Sequence, residues 1–79
     1  MEKEINGKNY NITELKYLDA LEVEGAKKIS IKLGVKKFLQ FSTGLSDEEL
    51  ENLSIKDGLE LQKAVNEVNE LDFQEPVKN

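Results

Sequence analysis

The chain has no cysteine, no histidine, no tryptophan and no arginine, and its single proline lies at position 76. Each absence removes a class of chemistry. Without cysteine there are no disulfides, no thiolate nucleophile and no thiolate metal site, and without histidine the side chain best suited to proton transfer near neutrality is gone. Zinc sites are excluded with them. Without arginine the preferred bidentate reader of guanine is missing. The longest unbroken apolar runs are two or three residues, and the opening MEKEING is charged where a secretory leader needs an apolar stretch. Neither secretion nor membrane insertion is expected, and the chain reads as cytoplasmic. The five glycines stand singly at 7, 25, 34, 44 and 58, so no phosphate-cradling loop is present. No D-x-[DN]-x-[DN]-G calcium loop occurs either.

What remains is a single small domain. A chain of 79 residues with 38% hydrophobic content buries only about 60% of the surface its unfolded form exposes. That suffices for one core but not for a deep enclosed active site as well, so the expectation is binding without catalysis and without cofactors. Charge is segregated along the chain. Residues 1–24 hold six acids and three lysines, residues 25–46 hold five lysines and no acid, and residues 47–75 hold ten acids and two lysines, within a net charge of −5. The lysine-rich stretch (Lys27, Lys28, Lys32, Lys36, Lys37) is the one candidate for nucleic-acid contact, but the acidic total and the absence of a DNA-binding motif argue against it.

Asn6-Gly7 sits between KEI and KNYNI and fits a two-residue type I′ hairpin turn. Pairing outward sets Ile5 opposite Lys8, Lys3 opposite Tyr10 and Met1 opposite Ile12, which gathers Met1, Ile5, Tyr10 and Ile12 on one apolar side of a hairpin over 2–12. Thr13 then reads as an N-cap, with Tyr17, Leu18 and Leu21 as the buried face of a helix over 14–24 that Gly25 ends. Residues 26–43 read two ways. Ile29, Ile31, Leu33 and Val35 alternate with Ser30, Lys32 and Gly34 as in a half-buried strand, and local pattern leans slightly to that. As a helix, Ile31, Val35, Phe38 and Phe41 make one stripe, Ile29 and Leu33 fall on a second side, and Gly34 costs about 1 kcal/mol relative to alanine. Ser46 and Glu49 form a capping box for a short helix over 47–53. Ser54 and Asp57 repeat the pattern for a final helix over 55–71, with Leu61, Ala64, Val65, Val68 and Leu71 as its buried stripe. The whole gives one compact unit over 1–72 and a flexible tail over 73–79.

The run Asp57-Gly58-Leu59-Glu60-Leu61 resembles the attachment site of a carrier protein, but glycine stands where the modified serine would be. Asp57 is better explained by helix capping, and Leu59, Leu61 and Val65 by packing. A longer resemblance covers residues 4–70. INGKNY, then ITELKYLDALEVEG, then FLQFSTGLSDEELENLSIKDGLELQKAVNEV resembles, in that order, the small phage tail assembly chaperones, with Thr43-Gly44-Leu45-Ser46, Glu48-Glu49-Leu50, Leu53 and Asp57 at the matching positions. The resemblance implies a protein that binds the tape measure protein and keeps it soluble while the tail tube assembles around it. The tail tube protein is then a second candidate partner, and the bacterial host cytoplasm the location. It also favours helix over 26–42, giving a mainly α fold in which the N-terminal β-hairpin packs on three or four helices. A helix there offers Ile29 and Leu33 as apolar contacts for a client, with Lys32, Lys36 and Lys37 to steer it. Oligomeric state is left open, a homo-oligomer included. A second reading, from the acids of residues 47–75, is a small acidic inhibitor or DNA mimic.

Overall fold

A computed structural model describes the backbone of residues 1–73 and the side chains of residues 1–69. Strands β1 (Glu2–Ile5) and β2 (Lys8–Asn11) form an antiparallel hairpin, followed by helices α1 (Tyr17–Ile29), α2 (Ile31–Thr43), α3 (Asp47–Glu51) and α4 (Ile55–Phe73). The fold is therefore mainly α with an N-terminal hairpin.

Turn chemistry fixes the hairpin. Asn6 and Gly7 take φ of 54° and 81°, the positive values a type I′ turn needs at both central positions. The register follows, with Ile5 opposite Lys8 and Lys3 opposite Tyr10. Met1 and Ile12 exchange two further bonds of 2.7 and 2.9 Å. Ile5, Tyr10 and Ile12 are buried as the alternation requires, while Met1 at the open end stays exposed.

Those three residues pack with Leu39 of α2 and Leu61, Ala64 and Val65 of α4, and Val35, Phe38, Leu45, Leu50, Leu53 and Val68 close around them. Burying Ile12, Leu61 and Val65 completely contributes about 1.5–3 kcal/mol each before chain entropy is counted. The stripe expected on the last helix is correct for Leu61, Ala64, Val65 and Val68. Leu71 lies outside the described side chains; of the tail expected over 73–79, Phe73 instead belongs to α4, and residues 74–79 lie outside the described residues.

The first helix departs from expectation at both ends. Thr13 does not cap it: the Thr13 N–H and hydroxyl both donate to the Ser42 carbonyl oxygen, at 2.8 and 3.3 Å. The Leu15 N–H donates to Asn69 Oδ1 at 2.8 Å, and Asn69 in turn donates to Ser42 Oγ and the Val65 carbonyl oxygen. This polar network, buried at Ser42 and Asn69, ties down the non-helical connector 13–16, so the helix starts at Tyr17 behind an extended N-cap, Lys16, that makes no side-chain bond. Gly25 does not end it. Val23 and Ala26 are buried on either side of Gly25, and tertiary packing overrides a propensity penalty of about 1 kcal/mol. The face expected to be buried, Tyr17, Leu18 and Leu21, is exposed instead.

The ambiguous stretch is helical, but it is not one helix over 26–42. Ser30 takes an extended conformation (φ −162°, ψ 149°), donates its N–H to the Ala26 carbonyl oxygen to close α1, and accepts from the Leu33 N–H at 3.0 Å to open α2. The chain doubles back there into a helical hairpin. Gly34 is the close approach: a Cβ at that position would collide with the Lys27 side chain and lie 3.1 Å from the Lys27 Cα. Farther along, Lys37 Nζ pairs with Glu22 at 3.0 Å. The period-2 pattern at 29–35 thus gives way to two helix caps and to the i, i+4 spacing that puts Val35 and Leu39 on the core. Within the expected stripe, Val35 and Phe38 pack on the core, Phe41 is half-buried and Ile31 is exposed. Gly44, at φ 78°, ends α2 by donating to the Gln40 carbonyl oxygen.

Candidate functional site

The local chemistry that positions the site begins at α3. Ser46 Oγ accepts from the Glu49 N–H and Glu49 Oε1 accepts from the Ser46 N–H, so the capping box is complete. The Ser46 backbone bond holds the Glu49 carboxyl below the usual range. Asp47, one residue into the helix, is bound by Lys36 Nζ at 3.1 Å and by Gln40 Nε2 at 2.6 Å, and the Lys36 contact, then Gln40, lowers its pKa in the same way. These bonds latch α3 to the outer side of α2. The helix ends at Glu51 rather than at the expected position 53. Leu50 and Leu53 turn inward, and Ser54 Oγ caps α4 by accepting from the Asp57 N–H.

Between α2, α3 and the first two turns of α4 this arrangement leaves an apolar groove of about 380 Å³. Val35, Leu39, Leu50 and Leu53 form its floor; Ile55 and Leu59 stand on the α4 wall, 83% and 61% exposed. The other walls are charged. Lys32 and Lys36 line the α2 side, and Asp47 and Glu51 the α3 side. The volume falls in the range of about 300–1,000 Å³ typical of binding pockets. An apolar floor between a basic and an acidic rim has the character of grooves that take the apolar face of an amphipathic helix.

Of the residues expected to form the site, Lys32 and Lys36 line this groove. Ile29 is exposed but ends α1, and Leu33 is half-buried on α2, so the break at Ser30 places them on different helices. Lys37 is committed to Glu22 and lies 5.8 Å from the Phe41 ring centre. Leu59, read from sequence as packing, faces the groove. The sequence did contain the signal: residues two apart on a helix are roughly 200° apart, so Leu59 cannot share a face with Leu61. Ile55 and Leu59, four apart, form the second face.

Among the described residues, no group of three or more acids is placed to hold a metal ion, and every buried side-chain nitrogen and oxygen has a partner. No helix among them is long and apolar enough to cross a membrane. No protein-family model, no curated protein and no solved structure matches the chain.

Proposed function

We propose that this protein is a non-catalytic binding protein for a long helical client, acting as the tail assembly chaperones it resembles do: it holds the tape measure protein soluble while the tail tube forms. The observation that supports this reading is the apolar groove with Ile55 and Leu59 left in water on its wall. Exposed aliphatic side chains beside a partly buried apolar floor gain from a helix laid over them, about 1.5–3 kcal/mol for each side chain fully covered. Two such residues give a gross gain of about 3–6 kcal/mol, against an association cost of about 4–15 kcal/mol. A single groove therefore binds weakly. Retention on the client comes from many copies spaced along a chain that repeats its apolar stripe, each shielding one segment from aggregation.

With Lys36 and Asp47 paired to each other, Lys32 on one rim and Glu51 on the other set the client's orientation, favouring an acidic flank against α2 and a basic flank against α3. The test is co-expression with the long helical protein encoded nearby in the same genome. The parent chain is expected to raise that protein's soluble fraction and to co-purify with it, and Ile55→Asp with Leu59→Asp to lose both effects while folding normally. Binding to an apolar client survives high salt. Capture of a basic nucleic-acid-binding protein that is lost on screening would favour the acidic inhibitor instead.

A further inference from the structure

Helix α1 has two apolar sides, and the fold uses one. Val23 and Ala26 are buried, yet no α1 residue belongs to the main core cluster. On the opposite side Tyr17, Leu21, Gly25 and Ile29 follow one another at four-residue spacing, a single ridge along about 20 Å of helix. Tyr17 is 76% exposed, Leu21 49% and Ile29 77%, with Leu18 beside them. The ridge is large, large, empty, large. The empty place has no explanation within the chain: a Cβ on Gly25 would meet nothing within 4 Å, in contrast to Gly34, where the neighbouring helix requires the glycine.

We infer that this ridge is the contact surface for a second copy of the same chain, with the two α1 helices packed antiparallel about a two-fold axis. That operation sets Tyr17 against Ile29 of the other copy and Leu21 over the gap at Gly25, and each pairing occurs twice, as an isologous contact requires. A ridge with one knob and one socket at symmetric places fits its own two-fold image. Charge points to the same face. The acids bordering the ridge are each paired within their own chain, Glu22 with Lys37 and Glu24 with Lys27. The α1–α2 hairpin as a whole holds three acids and five lysines, whereas residues 47–69 hold seven acids and two lysines. Among two-fold contacts, which set like faces together, the hairpin at net +2 repels its own image less than the acidic segment at net −5 does.

The contact is a single helix pair, so it belongs at the small, weak end of protein interfaces, with an expected dissociation constant on the order of 0.1 mM. It leaves the α2–α3–α4 groove free and does not depend on what that groove binds. Sedimentation equilibrium of the full chain over a wide concentration range tests it. The parent is expected to move from monomer to dimer and no further. Gly25→Leu fills the socket at a position open to solvent, and is expected to raise the dissociation constant by about ten-fold or more. Leu21→Ala combined with Gly25→Leu exchanges knob and socket and is expected to restore dimerisation. A parent that stays monomeric at millimolar concentration overturns the inference. So does a Gly25→Leu variant that dimerises as tightly as the parent, because the glycine is then no socket, and so does a double variant that fails to recover while its circular dichroism matches the parent's.

Discussion

Three glycines lie inside helices of this protein, and replacing each by alanine separates the effect of helix propensity from that of packing. At Gly25 and Gly58 an added Cβ meets nothing within 4 Å. Alanine there is expected to raise stability by up to about 1 kcal/mol, through its better propensity and the smaller entropy of the unfolded chain. In a domain of this size that moves the melting temperature upward by about 4–8 °C per kcal/mol. At Gly34 the same propensity gain is opposed by collision with Lys27, whose Cα and Cβ would lie 3.1 and 3.2 Å from the new methyl group. The obstruction includes backbone, so the helices must separate, and overpacking of this kind costs about 1–3 kcal/mol. The net effect of Gly34→Ala is between no change and a loss of about 2 kcal/mol, and it falls about 1–3 kcal/mol below Gly25→Ala. Urea unfolding followed by far-UV circular dichroism, in dilute solution where any self-association is negligible, gives the comparison directly. Amide hydrogen exchange should place the Gly34→Ala loss mainly in α1, which is outside the main core. If Gly34→Ala stabilises as much as Gly25→Ala, the close packing of α1 on α2 is wrong.

Two other outcomes follow from the polar contacts. Asn69→Ala removes the acceptor for the Leu15 N–H and a partner of Ser42 Oγ; with about 1–3 kcal/mol for each group left unsatisfied, the loss in urea unfolding should be about 2–6 kcal/mol, and a loss under about 0.5 kcal/mol would show that water replaces the amide without penalty. The Asp47 and Glu49 carboxyls titrate lower in the folded chain than in the unfolded one. Their contribution is therefore present at neutral pH and lost as pH falls through the folded-state values, below about pH 4. Carboxyl chemical shifts should report both midpoints below the ordinary range, and Lys36→Met should move the Asp47 midpoint up. Unchanged titration of Asp47 in that variant would contradict the α2–α3 latch.

The parts of the fold legible in the sequence are those set by local chemistry. Asn6-Gly7 determines the hairpin and its register, Ser46-x-x-Glu49 determines the start of α3, and the 61, 64, 65, 68 spacing determines the buried face of α4. Where expectation and structure differ, a long-range contact intervened. Thr13 has the composition of a cap, but Ser42 and Asn69, 29 and 56 residues away in sequence, tie down the connector. Tyr17, Leu18 and Leu21 have the spacing of a buried face, but α1 has two apolar sides, and the fold buries Val23 and Ala26, on the side where Lys27 approaches Gly34 of α2. Of the groove lining, Lys32 and Lys36 stand out in the sequence as part of the lysine-rich stretch, whereas Ile55 and Leu59 form a second apolar side of α4 that the longer Leu61, Ala64, Val65, Val68 stripe masks.

The most direct measurement of the client-binding account is the soluble fraction of the co-expressed long helical protein with no partner, with the parent chain, and with the Ile55→Asp, Leu59→Asp double variant, alongside the melting temperature of that variant. Both substituted side chains are exposed, so the variant should melt close to the parent. The expected result is rescue and co-purification by the parent and neither by the variant. Rescue by both would move the client surface away from the groove, and no rescue or complex with the parent would contradict the chaperone function itself.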